Sequence, residues 1–340
     1  MPAHVYANRT VVIAEIGVNH NGNLDTARNL VLAARDAGAD YAKFQTFRAD
    51  ELATEHAPVA KYQENAAQNL SQRELLRRFE LSHREFAGLK EFCEEVGIGF
   101  LTTAHDFSSL DFVLGLRLDY VKVPSGDLTN LPFLERIARQ GTPVIMSTGM
   151  AEFQEVEEAV LALEKSGLTR DLVIVLQCTT NYPAPLEEAN LRAMVAMGQR
   201  LSVKVGYSDH TEGTAASIAA VALGATVIEK HLTLDQSMPG PDHSASSTPS
   251  EFAGMVTAIR SVERALGSEK KVPTGSEIGN RLVVRKSIVA VRPIVSGEVF
   301  SPENIGVKRP GSGLSPMVWN EILGLRAHRD FAVDDMIELP

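Results

Sequence analysis

The chain has 340 residues, 44% hydrophobic and 22% charged, an ordinary globular balance with room for one large core and an appended unit. A formal net charge of −10 excludes non-specific adhesion to nucleic acid or to an anionic membrane, although a few pocket lysines would still admit an anionic substrate. Two cysteines, Cys93 and Cys178, make no disulfide framework, no apolar run is long enough to span a bilayer, and the polar start MPAHVYANRT carries no signal pattern; the expectation is a cytoplasmic protein.

Taken in order, short apolar runs alternate with helical spacing. Val11–Ile16 reads as a first strand, closed by GVNHNG and followed by a helix over Leu24–Ala37. Tyr41–Thr46 is the second strand, then comes an excursion from Phe47 to about Asn69 and helices near Ser71–Phe79 and His83–Val96. Gly99–Thr103, Tyr120–Pro124, Pro143–Ser147 and Val173–Cys178 read as strands three to six, with helices near Ser108–Leu116, Leu131–Gln140, Glu152–Ser166 and Glu187–Gly198. Val203–Tyr207 and Val227–Leu232 supply strands seven and eight, with helices over Ala215–Leu223 and Pro249–Leu266.

Eight short, near-continuously apolar strands, each followed by a helix, predict an α/β fold of the closed (β/α)8 barrel type over residues 1–267. A doubly wound open sheet would more usually carry GxGxxG where this chain has GVNHNG. Residues 268–282 are polar and without apolar periodicity, so they read as a linker. Residues 283–340 break into short strand-like pieces and form a small second domain.

The C-terminal strand ends of such a barrel carry its chemistry. Here every strand ends in polar groups: Glu15; Lys43 and Gln45; Thr102 and Thr103; Lys122 and Ser125; Ser147 and Thr148; Thr179, Thr180 and Tyr182; Ser208, Asp209 and His210; Glu229 and His231. Lys43 and Lys122, with the hydroxyls of Ser125, Ser147 and Ser208, suit a ligand carrying both a phosphate and a carboxylate; the bland alternative is that each lysine neutralises Glu15 or Glu229. His210 and His231 stand on neighbouring strand ends beside Glu229 and Asp209. They read either as two satisfied core histidines or as a two-ligand metal site open to water or substrate. Asp242, in the stiff MPGPDH loop, is placed to hold a sugar hydroxyl or simply to make a turn. His20 reads as a turn or packing residue, and Cys178 as buried and inert.

The stretches IAEIGVNHNG, KFQTF, KVPSGD, STGM, YSDHTEG, IEKHLTLD, MPGPDH and KRPGSG, in this order from about Val11 to Ile337, resemble the N-acetylneuraminate (sialic acid) synthase family. The resemblance implies a barrel followed by a small antifreeze-like (SAF, β-clip) domain, in a domain-swapped homodimer. It implies condensation of phosphoenolpyruvate with an N-acetylmannosamine-type sugar to a nine-carbon 2-keto acid, with phosphate released by C–O cleavage. It implies that His210 and His231 hold a divalent metal, Mn²⁺ first and Mg²⁺ or Co²⁺ as alternatives. Lys43, Thr103, Ser125 and Ser147 match positions around the phosphoenolpyruvate carboxylate; Lys122 and Ser208 match phosphate contacts. Glu15, Gln45, Tyr182, Asp242 and, among them, Glu229 match positions around the sugar, with Glu15 and Glu229 as general acid/base candidates. Arg309 matches the arginine that one subunit's small domain sends into its partner's site.

Two departures stand out: Thr102-Thr103-Ala104-His105 where the family often has an STPF-type sequence, and Thr180 where its sialic-acid branch commonly has Asn. KFQTF, PSGDLTNLP and CTTNYPAP look closer to the bacterial N,N'-diacetyllegionaminate synthases, so 2,4-diacetamido-2,4,6-trideoxymannose is the first acceptor and N-acetylmannosamine the alternative. The rivals are a Schiff-base aldolase using Lys43 or Lys122, and a non-catalytic carbohydrate-binding protein.

Overall fold

The computed structural model describes residues 9–59 and 70–340; the later part of the excursion expected up to Asn69 lies outside them. The chain divides into two compact units, residues 1–267 and 268–340.

The first unit is a closed barrel of eight parallel strands in sequential order: β1 (Val11–Gly17), β2 (Tyr41–Thr46), β3 (Gly99–Ala104), β4 (Val121–Val123), β5 (Val144–Ser147), β6 (Val173–Cys178), β7 (Lys204–Asp209) and β8 (Val227–His231). Closure is made by β1 against β8, in the register Val11↔Val227 to Glu15↔His231. The period of two along each strand decides what faces where. Outward residues such as Val12, Ala14, Phe44 and Ile228 bury against the surrounding helices, whereas inward ones such as Val11, Ile13, Tyr41, Leu101, Ile145, Leu176 and Val227 fill the barrel floor.

The same inward parity continues upward into Glu15, Lys43, Thr103, Lys122, Ser147, Ser208 and Glu229. An apolar floor thus carries a polar ceiling, and both follow from one alternation.

Several of the helices are fixed by conventional termini. Asn23 accepts from the Thr26 N–H to start Leu24–Asp36; Ser82 with Glu85 and Thr248 with Glu251 form capping boxes, the second followed by Pro249 in the first turn. Gly97, at φ +81°, closes His83–Val96.

The second unit has its own small core of Ile288, Ala290, Ile294, Phe300, Ile305, Ile322, Ala327, Phe331 and Ile337. It contains an antiparallel pair, β9 (Ser287–Ala290) and β10 (Ile305–Lys308). Two expectations are corrected here. The polar stretch read as a linker over 268–282 carries a helix, Gly275–Val284, begun by a Thr274–Glu277 capping box. Its apolar residues Ile278 and Leu282 do recur four apart, but the polar and glycine residues around them hide the period in a window that ends too early. GEVF (residues 297–300), one of the short strand-like pieces expected within residues 283–340, makes only one isolated bridge, Val299↔Arg326, alongside turns.

Gly206 marks a tight point of the barrel wall: a Cβ there would stand 2.4 Å from the Val227 carbonyl oxygen and 2.6 Å from Leu176 Cδ2. Gly206→Ala should therefore destabilise the fold by about 1–3 kcal/mol through overpacking, read as a lowered urea midpoint with unchanged slope. An unshifted midpoint would mean that the wall yields at no cost.

Candidate active site

At the C-terminal mouth of the barrel one cleft of about 430 Å³ is lined by Glu15, Lys43, Gln45, Thr103, Lys122, Ser125, Ser147, Tyr182, Ser208, His210, Glu229 and His231. That volume lies within the range of small-molecule sites. Asp242 lines a smaller adjoining recess with Gln45, Tyr182 and His231. Arg309 belongs to the second unit, directly after β10.

Neither lysine stands free. Lys43 Nζ lies 2.7 Å from Glu15 Oε2 and 3.5 Å from Glu229 Oε2, and donates to Thr103 Oγ1 at 3.1 Å. Lys122 Nζ donates to Ser147 Oγ at 2.6 Å and to the Val123 carbonyl at 3.2 Å, with Glu229 Oε1 at 3.9 Å. Gln45 Nε2 donates to Glu15 Oε1 at 3.1 Å, and Ser208 Oγ to Glu229 Oε1 at 3.1 Å. The neutralising alternative therefore describes the ligand-free lysines: two ammonium groups and two carboxylates form one buried network. Its charges sum to zero, which is what makes their burial tolerable.

The network separates the two carboxylates. Burial raises the Glu15 carboxyl above the ordinary range, and the charge of Glu229 adds to this against the opposing pull of Lys43. Burial would raise Glu229 too, but Lys122 and Lys43, with the two imidazoles, outweigh it and hold that carboxyl at about 2. Burial works to lower Lys43, yet Glu15 and Glu229 prevail and raise it; Lys122, less closely paired, is lowered by burial and by the charge of Lys43.

His210 and His231 come together, ring centroids 5.7 Å apart, with the Tyr182 ring 4.1 Å from the first and 5.7 Å from the second. Burial lowers both pKa values, leaving neutral rings with a lone pair each. His210 Nδ1 lies 2.7 Å from the Thr179 carbonyl, so it carries the proton and leaves Nε2 as the acceptor, with Ser208 Oγ at 3.4 Å. That is the second-sphere arrangement of a metal-bound imidazole. His231 Nδ1 is buried without a partner. Among the described residues no cluster of three or more His, Cys, Asp or Glu forms a cation cage. Two neutral imidazoles, one with an orphaned buried nitrogen, fit a divalent ion whose remaining coordination is open.

Asp209 does not join this rim. As an odd-numbered residue between Ser208 and His210 it faces the helix layer, where it pairs with buried Lys230 at 3.1 Å and accepts from Thr211 and Ser217. Counting it as a neighbour of the histidines ignored the alternation along β7. His20 is a packing residue, its Nδ1 accepting from the Gly22 N–H, and Cys178 is buried against Ser125 Oγ at 3.3 Å. Sequence reasoning passed over His105, Phe47 and Met150 as cleft-lining residues; strand parity beyond Thr103 would have found His105. Gly149 is needed for close approach: a Cβ there would meet Thr180 Cγ2 at 2.7 Å and Ser125 Oγ at 2.9 Å.

The profile of the NeuB family matches residues 30–271, and that of the SAF domain residues 285–339. The N,N'-diacetyllegionaminic acid synthase of Campylobacter jejuni is 44% identical over 97% of this chain and 99% of its own length. That of Legionella pneumophila is 43% identical over 93% and 89%. Among solved structures, the N-acetylneuraminic acid (sialic acid) synthetase of Leptospira borgpetersenii in complex with citrate superimposes with a TM-score of 0.70 at 32% identity, covering 80% of this chain and 90% of that one.

Burial, with the charge of Glu15 adding to it, raises the Asp242 pKa to about 7. A carboxyl raised on folding stabilises the native state fully only below its unfolded pKa, and that contribution is lost as pH climbs from about 4 to about 7. Asp242→Asn should match the wild type near pH 4 and exceed it by up to about 4 kcal/mol at pH 8, measured by urea denaturation with chelator present. Parallel curves across that range would show that the side chain titrates as a solvated one.

Proposed function

The chain belongs to the NeuB family and ends in a SAF domain, and on that premise we propose that it condenses phosphoenolpyruvate with an open-chain N-acetylated amino sugar, yielding a nine-carbon 2-keto acid and phosphate. The observation that carries the reading is the meeting of Lys43, Lys122, Glu15, Glu229, His210 and His231 in one cleft. The preferred acceptor is 2,4-diacetamido-2,4,6-trideoxymannose, giving N,N'-diacetyllegionaminate, in keeping with the 44% and 43% identical relatives of that name. N-acetylmannosamine is the alternative.

Lys43 and Lys122, with Thr103, Ser147, Ser125 and Ser208 around them, hold the carboxylate and phosphate of phosphoenolpyruvate so that C3 faces the acceptor aldehyde. C3 bonds to the aldehyde carbon, leaving an oxocarbenium at C2. Water adds at C2, returning one proton to Glu15 in place of the one given to the new hydroxyl, and the tetrahedral intermediate expels phosphate by breaking the C–O bond, its hydroxyl proton leaving with the phosphate. Glu15, the carboxyl that burial holds protonated more readily, serves as the proton donor to the new hydroxyl; Glu229, held ionised, stabilises cationic character nearby. A divalent ion held by His210 and His231, Mn²⁺ before Mg²⁺ or Co²⁺, would supply Lewis-acid polarisation of a carbonyl oxygen. Lys43, kept as an ammonium by its two carboxylates, is in the wrong state for imine formation, which disfavours the aldolase rival at that lysine. The two free cysteines suit the cytoplasm, and no helix among the described residues is long and apolar enough to cross a membrane.

Purified protein should release phosphate from phosphoenolpyruvate with the 2,4-diacetamido sugar faster than with N-acetylmannosamine. ¹⁸O from water should enter the organic product and not the phosphate. Glu15→Gln should lower kcat roughly 10²- to 10⁴-fold. Label in phosphate would rule out C–O cleavage, and no turnover with either sugar would overturn the reading.

Arg309 is proposed to complete a site across a domain-swapped homodimer. Mixing Arg309→Ala with Glu15→Ala subunits should then restore roughly half of wild-type activity in heterodimers, about a quarter in the random mixture, because intact groups combine in one of two sites. Heterodimers without activity would mean that each site is built from one chain.

A further inference from the structure

His105 follows β3 directly, and its backbone is fixed on both sides. Its N–H donates to the Thr46 carbonyl at 3.2 Å. The next residue, Asp106, starts the helix Phe107–Gly115 by accepting from the Ser109 N–H at 2.7 Å, while its other oxygen accepts from the Arg48 N–H at 2.7 Å. A rigid base thus carries a ring that lines the cleft with Lys43 and Lys122.

The ring itself is unsatisfied. Phe47 meets it edge to face, centroids 6.4 Å apart at 77°, which uses no polar atom. Among the described residues it makes no hydrogen bond, and Nε2 is buried without a partner. Such an orphan is destabilising, a cost that an apolar residue would avoid in the same space. Burial first, then Lys43 from β2 and Lys122 from β4, lower its pKa to about 4 against the weaker opposing charge of Asp106. The ligand-free ring is neutral.

An anion drawn between the two lysines cancels the charges that suppress protonation here and supplies the acceptor that the ring lacks. We propose that His105 is a further ligand for phosphoenolpyruvate, donating a hydrogen bond to its anionic oxygens and taking up a proton as they bind. This rests on the functional reading above. It gives the Thr-Thr-Ala-His sequence a role in holding the anionic co-substrate and none in choosing the sugar.

The test is titration calorimetry of phosphoenolpyruvate alone into wild type, His105→Phe and His105→Gln near pH 6.5, in two buffers of different ionisation enthalpy. His105→Phe should bind roughly ten- to a hundredfold more weakly, the value of one hydrogen bond to a charged group, and lose the extra proton uptake. His105→Gln, with an amide donor, should recover most of the affinity but not the uptake. KM for the sugar should change less than about twofold in a properly folded variant, because the ring serves the other substrate. Wild-type binding with His105→Phe equal in affinity and uptake would overturn the role of His105 alone. Absence of phosphoenolpyruvate binding to the wild type would overturn the functional reading and the inference with it.

Discussion

The barrel mouth is organised by charge neutrality under burial. Two carboxylates and two ammonium groups, none more than a few per cent exposed, occupy one end of a cylinder otherwise filled by Val, Ile, Leu and Tyr. Each ion alone would cost several kcal/mol to bury, so none persists there without the others. Glu229 is the hinge of the set because it answers both lysines, and Ser208 adds a hydrogen bond from the adjacent strand. The two imidazoles fit only as neutral groups, since a further cation would break the balance. A network already neutral in itself accepts a negatively charged ligand and a positive ion together more readily than either alone.

The architecture needed little beyond pattern. Eight apolar runs of strand length, each followed by helical spacing, leave few topologies open, and a sheet buried on both faces explains why the runs are continuous. Strand parity then does most of the work at the site. Counting in twos from Val11 reaches Glu15, from Tyr41 reaches Lys43 and Gln45, and from Val227 reaches Glu229 and His231, so apolar floor and polar ceiling lie in the same count.

Residues that pattern alone misplaces are those considered apart from that count. Asp209 was grouped with its neighbours by chemistry, although position 209 points into the helix layer and is consumed by Lys230. His105 was seen only as a departure in a motif, although two steps from Thr103 bring it into the cleft. The helix Gly275–Val284 is hidden for another reason: its apolar residues Ile278 and Leu282 recur four apart but stand among polar and glycine residues, and a window ending at residue 282 cuts the period short. Side-chain partnerships were the other illegible part. That Lys43 holds Glu15 at 2.7 Å while Lys122 holds Ser147 depends on strand stagger and rotamers, and no sequence spacing encodes those.

Those partnerships also bear on how one site can keep two carboxylates in different states. Glu15 and Glu229 share Lys43, but Lys122, 3.9 Å from Glu229, and the two imidazoles act chiefly on Glu229, so the same burial leaves one carboxyl high and the other at about 2. An acid able to give up a proton and an anion able to steady positive charge are what condensation at a carbonyl requires, and here they differ in the groups that face them. An anionic ligand that draws the lysines toward itself weakens the hold of Lys43 on Glu15 and lifts that carboxyl further. In the proposed reaction, binding of the anionic co-substrate and protonation of Glu15 are therefore coupled through the 2.7 Å contact between the first strand and the second.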